Sequence, residues 1–371
     1  MGGGERKRKG GAAVGLEIRP YRPGDEEAIL ACWNSIFPDP ERGIAPRDLE
    51  WWRWFFLENP ASDEPRIMLA LDGDVVVGQY AGCPCRAVLE GRGEVTVVQA
   101  VDLMVRPEYR RVNPPDEGDQ VVCFTDLVRW GWKARRRRPG LFVHLGRRYY
   151  ERWCGPDKDL MTYGYAVPAW RIGNKYLGYE VVETTEILFR ETGASCFRPR
   201  SKETDSLEVV PLERFGAETD ELWERIAPEF HFALVRDSLY MNWRFASRPG
   251  RPYRAFLARE KSGGRPRGIA VFRKHDFLVR GTGLLADWLV PAADDEASEV
   301  LLGALEETAA GEGCVFLGAL FSPLDPRFLA FQRKGFLVMG TSYVLGVVTF
   351  YRDPSWLRER WYYTLGDSDL V

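Results

Sequence analysis

The strongest constraint on this chain is an internal repeat, whose matching residues keep the same order. Residues 16–20 return as residues 207–211 at an offset of 191, and Gly78 returns as Gly268 at an offset of 190. The other matching pairs are Trp33 with Trp223, Asp48 with Asp237, Trp54 with Trp243, Phe56 with Phe245, Pro60 with Pro249, Asp102 with Asp287 and Gly178 with Gly335. Because chance rarely preserves both order and spacing, the sequence predicts two related domains.

The first copy is longer than the second. The offset falls from 185 residues at Asp102 to 157 at Gly178, so about 28 extra residues lie in this interval. The polar stretch 112–119 opens the surplus, and its Pro, Gly and Asp residues predict a loop. The predicted organisation is a basic tail over 1–15, the first copy over 16–192, a linker over 193–206, the second copy over 207–351 and a C-terminal extension over 352–371.

Both copies have the same predicted order of strands and helices. A strand leads into an acidic amphipathic helix and an aromatic-rich helical segment. Three strands, a helix, a strand, a short helix and a last strand follow. In the second copy Ala297, Val300, Leu301, Ala304, Leu305 and Thr308 recur at helical spacing. This order predicts a mixed α/β fold in each copy, with helices on both faces of a twisted sheet.

Composition and charge exclude several classes of protein. The 51 basic and 54 acidic residues give a net charge of −3, which disfavours a nucleic-acid partner bound through bulk positive charge. No apolar run reaches the roughly 18 residues of a membrane helix, and the Gly-rich tail lacks the apolar core of a secretory signal. The seven cysteines and three histidines lack metal-ligand spacing. We therefore expect a cytoplasmic protein with reduced thiols and no metal site.

Three segments resemble a known superfamily. Residues 18–20, residues 103–111 with the sequence LMVRPEYRR, and residues 177–179 with the sequence LGY are similar to motifs of the GNAT superfamily. Residues 236–245 are similar to a segment of tandem GNAT proteins. The resemblance extends over nearly all of 16–351 and implies two GNAT-like domains in tandem. Members of this superfamily are acyl-CoA-dependent N-acyltransferases.

The resemblance implies an acyl-CoA site in the first copy. Leu103, Met104 and Val105 would present backbone N–H groups to the thioester carbonyl, where their strand separates from its neighbour. The following helix would bind the pyrophosphate of coenzyme A at its N-terminus. Family members carry a Gly-x-Gly loop there, whereas Arg110 and Arg111 are followed by Val-Asn-Pro-Pro.

The arginine run 135–138 and Gly140 form the predicted substitute for this loop. They precede residues 141–153, a predicted helix that begins with Leu141 and Phe142. Arg138 and Gly140 would then contact the pyrophosphate. Two alternatives remain, namely a pyrophosphate helix over 119–133 and a solvated surface turn for the four arginines.

The residue that would protonate the leaving thiolate is harder to identify than the residues of the donor site. Family members often carry a tyrosine four residues before the Gly-aromatic pair, where it protonates the leaving thiolate, and this chain has Asn174 there. Tyr165 and Tyr176 are nearby candidates for that role. A structural position in the core is the alternative for both.

Asp102 is the candidate base for deprotonating an amine. Its counterpart Asp287 lies in the second copy, which favours a structural hydrogen-bonding role for both. In some members a glutamate base lies three residues earlier on the strand, where this chain has Gln99. The second copy's helix begins with residues 294–296 (Asp-Asp-Glu), whose carboxylates would repel a pyrophosphate. We therefore expect a non-catalytic second copy that shapes the substrate cleft of the first.

The leading functional hypothesis is an N-acyltransferase that uses acetyl-CoA as co-substrate and an unidentified amine as acceptor. One alternative is a non-catalytic acyl-CoA-binding or interaction protein with a degenerate site. Another is an aminoacyl-transfer enzyme that uses charged tRNA, which the near-zero net charge disfavours. The sequence predicts no membrane partner and no particular oligomeric state.

Overall fold

The computed structural model describes residues 15–39, 44–112, 139–166, 170–193, 203–250 and 252–370, and the backbone of 121–122 and 136–137. The strands are β1 Leu16–Pro20, β2 Arg66–Asp72, β3 Val75–Leu89, β4 Gly93–Val105, β5 Val121–Val122, β6 Arg136–Arg137, β7 Met161–Ala166, β8 Glu180–Glu191, β9 Leu207–Leu212, β10 Phe232–Leu234, β11 Tyr253–Glu260, β12 Pro266–Lys274, β13 Thr282–Leu289, β14 Phe316–Ala319, β15 Leu337–Thr349 and β16 Trp361–Tyr362. The helices are α1 Glu26–Asn34, α2 Leu49–Phe56, α3 Leu141–Trp153, α4 Trp170–Tyr176, α5 Ala217–Ile226, α6 Ser238–Met241, α7 Asp295–Gly311, α8 Pro326–Arg333 and α9 Pro354–Arg360.

Fourteen strands of the described residues form one mixed sheet. Its order is β1-β2-β3-β4-β7-β15-β8-β14-β13-β12-β11-β9, and β10 joins it at the side of β3 with β16 beyond. β4 pairs in parallel with β7, and β13 pairs in parallel with β14. The other neighbours along this order are antiparallel. The predicted fold of two tandem domains with helices packed on a mixed sheet is confirmed.

The two copies exchange their last strands. β8 of the first copy pairs with β14 of the second, and β15 of the second copy lies between β7 and β8 of the first. The sequence predicts a sheet in each copy and does not indicate this exchange. Each half of the sheet is therefore completed by the other copy.

A pair of tryptophans joins the copies at a local pseudo-twofold axis. Nε1 of Trp54 donates to the carbonyl of Trp243 at 2.8 Å, and Nε1 of Trp243 donates to the carbonyl of Trp54 at 2.9 Å. The two rings stack with their centroids 5.6 Å apart. Because buried indole N–H groups need an acceptor, each copy satisfies the other. The residues matched in the sequence repeat thus meet in space.

The aromatic-rich helical segment begins with the same cap in both copies. The side chain of Asp48 accepts a hydrogen bond from the backbone of Trp51 at 2.8 Å, and Asp237 accepts one from Tyr240 at 2.9 Å. A carboxylate at this position pairs with an N–H group that has no partner within the helix and favours the positive end of its dipole. This shared cap explains why Asp48 and Asp237 match in the repeat.

Two apolar clusters cover the two faces of the first copy's sheet. On one face, named the α3 face, Leu141, Val143 and Leu145 of α3 are fully buried against β2 and β3. The opposite face, named the cleft face, is covered by α1 and α2 and merges with the core of the second copy. The helix predicted over 141–153 is present with those bounds.

The C-terminal extension is packed into the protein. Its segment over 361–370, named the C-terminal segment, begins with β16, which pairs in parallel with β10. Residues 361–368 are buried, and the side chains of Thr364 and Asp367 form a capping box in the short turn that follows. The sequence alone predicts no structure for this region, because the contacts that hold it come from distant parts of the chain.

The extra residues of the first copy lie between β4 and α3. Within it β5 pairs with β6 in an antiparallel ribbon. The alternative helix over 119–133 is therefore wrong at its start, where two β-branched residues, Val121 and Val122, adopt strand geometry. The rest of that alternative, and Arg138 of the arginine run, lie outside the described residues.

Candidate functional site

The two parallel strands at the centre of the first copy separate along their length. Among the described residues, β4 and β7 pair through Val98 with Thr162 and through Gln99 with Tyr163, and no further. β4 continues to Val105 along β3 alone. Leu103, Met104 and Val105 therefore have an edge that faces the gap. The separation of the strands is where the sequence predicts it.

The start of α3 lies against the end of β4. Gly140 has a φ of +85°, and a Cβ at this position would be 2.2 Å from the carbonyl oxygen of Arg110 and 3.7 Å from the Cα of Arg111. A side chain cannot be accommodated there, so glycine is required by both space and conformation. Arg110 also donates from Nε to the Val105 carbonyl at 3.4 Å.

The predicted donor-site residues of the described chain are thus neighbours. Leu141 is fully buried, and Phe142 is half-buried with its ring 5.6 Å from the ring of Tyr80. The N-terminal turn of α3 follows Gly140 directly, next to the end of β4. An anion could bind there through backbone N–H groups.

A cleft of about 490 Å³ opens on the cleft face, between the two copies. Its first-copy lining comes from α1, α2, the loop before α2 and β4. Its second-copy lining comes from the turn after α6 and from the C-terminal segment. The side chains with polar or aromatic chemistry that line it are Trp33, Arg47, Asp48, Glu50, Trp51, Trp54, Phe55, Asp102, Arg244, Arg248 and Asp369.

Asp102 lies in the cleft at an irregular position of β4. Its φ is +50°, and the pairing of β3 with β4 shifts register beside it. The carboxylate accepts a hydrogen bond from Nε1 of Trp33 at 3.0 Å and pairs with Arg47. The Arg47 guanidinium lies 4.1 Å from the Trp33 ring and 3.7 Å from the Trp51 ring. Asp102 is therefore held by two donors and faces the cleft.

Asp369 is a carboxylate of the cleft that the sequence analysis missed. Its Oδ1 accepts a hydrogen bond from Nε2 of Gln99 at 3.4 Å. Protein surrounds it on most sides although the carboxylate is open to the water of the cleft. Desolvation of the carboxylate is the largest cause that raises the pKa of Asp369 to about 6, and the charge of Asp102 adds to it. The charges of Arg47 and Arg244 act against the increase. No local sequence signal distinguishes this residue from other acidic residues near the chain end.

Of the two candidate tyrosines, Tyr165 lies on the cleft face. Its ring is 6.4 Å from that of Tyr363 in the C-terminal segment, and its buried hydroxyl makes no hydrogen bond to any described residue. Burial raises the pKa of this hydroxyl well above its ordinary value, and Asp367 and Glu183 add to the increase. Tyr165 is thus an unpartnered buried hydroxyl near the acidic end of the chain.

Tyr176 lies on the opposite side of the sheet. It is half-buried against the apolar cluster of the α3 face, and the ammonium of Lys175 is 5.2 Å from its ring. The structure therefore does not bring Tyr176 together with Asp102 and Tyr165. Asn174, at the position of the family tyrosine, donates to the carbonyl of Tyr179 at 2.6 Å.

Three further tyrosine hydroxyls meet on the α3 face. The hydroxyl of Tyr80 is 2.6 Å from that of Tyr150 and also contacts that of Tyr179. Burial raises the pKa of all three. Since they come from β3, α3 and the start of β8, sequence spacing could not have indicated their meeting.

The corresponding region of the second copy carries an arginine and an aspartate. Nε of Arg327 donates to the carbonyl of Val290 at 3.0 Å, and its Nη2 donates to the same oxygen at 2.8 Å. Val290 directly follows β13 and matches Val105, the last residue of β4, in the repeat. Asp294 precedes helix α7 and caps the backbone N–H of Ala297 at 3.0 Å. The carboxylate thus already binds the N-terminus of this helix, whereas α3 of the first copy begins after a glycine.

The described residues form neither a membrane-spanning helix nor a cluster of metal ligands. No helix there is both long enough and apolar enough to cross a membrane. No group of three or more His, Cys, Asp or Glu side chains there is arranged to hold a metal ion. The described cysteines, namely Cys32, Cys83, Cys85, Cys154 and Cys314, are free and buried.

Residues 17–113 match the family model described as "Acetyltransferase (GNAT) domain". This span contains the β3–β4 region, with Asp102 and Leu103 to Val105. No curated protein matches the chain significantly in sequence.

Several solved structures have a similar fold over most of their length. A GCN5-related N-acetyltransferase from Anabaena variabilis has a TM-score of 0.58 and 15% identity, over 90% of this chain and 73% of that one. N-myristoyltransferase from Saccharomyces cerevisiae with bound myristoyl-CoA has a TM-score of 0.53 and 13% identity, over 92% and 80%. A tandem GNAT protein from the clavulanic acid biosynthesis pathway has a TM-score of 0.50 and 14% identity, over 91% and 99%.

Proposed function

The chain belongs to the GNAT superfamily with two GNAT-like domains in tandem, and from this premise we propose that its first copy transfers an acyl group from acyl-CoA to an amine. The observation that most supports this function is the opening between β4 and β7. It has the start of α3 at one end and a cleft with two carboxylates at the other. A donor and an acceptor could meet there from opposite faces of the sheet.

We assign the donor site to the end of β4 and the start of α3. The backbone of Gly140, Leu141 and Phe142 would bind the pyrophosphate, with Arg110 and Arg111 beside it. The required glycine at position 140 supports this assignment, because a side chain there would push the start of α3 away from the backbone of Arg110 and Arg111. Arg138 stays a sequence prediction for the same contact.

Acyl-CoA supplies a thioester carbonyl that an amine can attack. The N–H groups at the edge of Leu103, Met104 and Val105 would polarise that carbonyl. Much of the catalytic effect would come from holding the amine beside it in the right orientation. Acetyl-CoA is the first donor to test.

We assign the general base to Asp369 and a positioning role to Asp102. A base works best when its pKa lies near the working pH, and the pKa of Asp369 is raised to about 6. Asp102 already accepts from Trp33 and pairs with Arg47, so its charge is engaged. Tyr165 is a candidate proton donor on the same face, and Tyr176 is a candidate on the α3 face.

The second candidate function is binding of acyl-CoA without catalysis. The engagement of Asp102 and the replacement of the family tyrosine by Asn174 favour it. Both functions share the donor site, so they differ in whether free coenzyme A is released when an amine is present.

The first experiment measures binding and turnover together. Acetyl-CoA at a hundredfold its Kd is expected to stabilise the protein by about 2.7 kcal/mol, seen as a higher Tm. Calorimetry is expected to give one site per chain. Release of free thiol in the presence of a panel of primary amines then distinguishes transfer from binding. Absence of both the Tm increase and calorimetric heat would contradict the proposed donor site.

Arg138→Glu tests the sequence prediction for the arginine run. If Arg138 contacts the pyrophosphate as the sequence predicts, the variant exchanges a charge-assisted hydrogen bond for repulsion, a change of about 2–4 kcal/mol. The affinity for coenzyme A is expected to fall roughly thirty- to a thousandfold. The matched control is Asp119→Lys, for which little change is expected. Wild-type affinity in Arg138→Glu would remove this arginine from the donor site.

A further inference from the structure

The acceptor cleft has two chemically different ends. At one end lie the carboxylates of Asp102 and Asp369. Arg248, from the second copy, lines the wall beside Trp54, and Arg244 lies between it and the C-terminal segment. A cleft with this arrangement is suited to a ligand that has a positive group at one end and a negative group at the other.

Aromatic rings connect the two ends. The Arg47 guanidinium, which pairs with Asp102, is 3.7 Å from the Trp51 ring, and the rings of Trp51 and Trp54 are 5.8 Å apart. The Arg248 guanidinium is 5.7 Å from the Trp54 ring. The order along the cleft is therefore carboxylate, aromatic wall and arginine. The middle of a ligand would contact indole rings, which favours an apolar or aromatic spacer.

Positive charge is concentrated at the arginine end. The hydroxyl of Tyr253 receives hydrogen bonds from Arg248 and, at 3.4 Å, from Nη1 of Arg244. The Arg273 guanidinium is 5.6 Å from the same ring, and its buried Nε has no hydrogen-bond partner among the described residues. Three guanidinium groups thus surround one phenol.

The titration behaviour of this end agrees with its geometry. Burial lowers the pKa of Arg248 to about 10, and Arg244 and Arg273 lower it further while Tyr253 opposes them. Burial and the same arginines, Arg273 and Arg248, lower the pKa of His275 to about 4, against a weaker effect of Asp276. An added anion would relieve this repulsion.

Resting on the proposed acyl transfer, we propose that the acceptor is an amine that also carries a carboxylate or phosphate, and that Arg248 binds this anionic group. The amine lies at Asp369, the spacer crosses Trp51 and Trp54, and the anion meets the guanidinium of Arg248. Arginine is well suited to this role because its planar group can make two parallel hydrogen bonds to either anion. The second copy thereby selects the substrate of the first.

Calorimetry with ω-amino ligands tests this subsite without requiring turnover. The probes are aminooctanoate, aminooctyl phosphate and the neutral aminooctanamide, with aminohexanoate and aminodecanoate to vary the spacer. At least one anionic probe is expected to bind roughly tenfold or more tightly than the amide. Whether carboxylate or phosphate binds more tightly identifies the natural anion.

Two substitutions separate Arg248 from general charge effects. Arg248→Met is expected to remove the preference for the anion, and Arg248→Lys is expected to retain part of it. The matched control is Arg254→Met, since Arg254 is exposed on the neighbouring strand and pairs with Glu312 at 2.8 Å. The control is expected to keep the full preference. Melting curves check that each variant is folded.

Three results would overturn the subsite: equal binding of anionic and neutral probes, an unchanged preference in Arg248→Met, or no binding of any probe. The acyl-transfer proposal is judged separately, by acetyl-CoA binding and release of free thiol. A preference for anions without thiol release would keep the subsite and reject transfer. If acetyl-CoA releases thiol at equal rates with aminooctanoate and with aminooctanamide as acceptor, transfer is kept and the anion subsite is rejected.

Discussion

The two copies carry the same ion pair in two different settings. Arg47 pairs with Asp102 in the first copy, and Arg236 pairs with Asp287 in the second, at matching positions of the repeat. The Arg47 side chain is 23% exposed and borders the cleft, whereas the Arg236 side chain is fully buried. One scaffold thus gives an open site in one copy and a sealed one in the other.

The C-terminal segment makes this difference. Arg236 also binds the carboxylate of Asp367 at 2.6 Å, and Thr364 donates to Asp287 at 2.9 Å. Arg244 then holds the carbonyls of Gly366 and Ser368 at 3.1 and 2.8 Å. The segment therefore fills the second copy, and its next residue, Asp369, lies in the first copy's cleft. The second copy thus holds the segment that places the Asp369 carboxylate in the cleft.

The largest expected effect comes from breaking the sealed pair. Arg236→Met leaves two carboxylates, Asp287 and Asp367, buried without their cation. The free energy of unfolding is expected to fall by about 3–5 kcal/mol, measured by urea denaturation. Arg47→Met is the matched variant of the open pair, and a loss of about 1–2 kcal/mol is expected there because water and the cleft reach Asp102. Equal losses in the two variants would contradict the contrast between the copies.

The next largest effect is expected at the donor site of the first copy. Gly140→Ala places a Cβ against the Arg110 carbonyl, so the start of α3 must move away from β4. The affinity for acetyl-CoA is expected to fall about ten- to a hundredfold, measured by calorimetry. Gly263→Ala is the control, because its φ of +89° is similar and nothing lies within 4 Å of the added Cβ. A similar loss of affinity in Gly263→Ala would attribute the effect to backbone strain alone.

Local patterns account for the part of the fold that the sequence predicted. The predicted helix over 141–153 depends on residues within a few positions of each other, and the structure has it with those bounds. It could be predicted because it is encoded within one short segment. The separation of β4 from β7 joins distant segments and followed from the family resemblance of residues 103–111.

Contacts between segments far apart in the sequence account for the features that could not be predicted. β8 and β15 both follow a Gly-aromatic pair, and no local signal decides whether such a strand completes its own copy or the other. Asp369 belongs to the site because Arg244 and Arg236 hold the segment before it. Tyr165 and Tyr176 were candidates for the same role, yet the structure places Tyr165 on the cleft face and Tyr176 on the α3 face. Contacts between distant segments decided all three.

The last comparison is between two carboxylates of the C-terminal segment, Asp367 in the core of the second copy and Asp369 in the cleft. Asp367 is paired with Arg236, whereas Asp369 has a neutral partner, Gln99, and a pKa raised to about 6. A base must be deprotonated to accept a proton, so kcat/KM for acyl transfer is expected to fall about tenfold per pH unit below pH 6 and to level off above it. Asp369→Asn is expected to lose this acidic limb together with most of the activity.

Because the pKa of Asp369 is raised on folding, its protonation favours the folded state, and its contribution to stability is lost as pH rises from about 4 through 6. Activity and stability should therefore change in opposite directions across this window, and melting curves of the wild type and Asp369→Asn at each pH separate the two. An acidic limb that persists unchanged in Asp369→Asn would assign the base to another group.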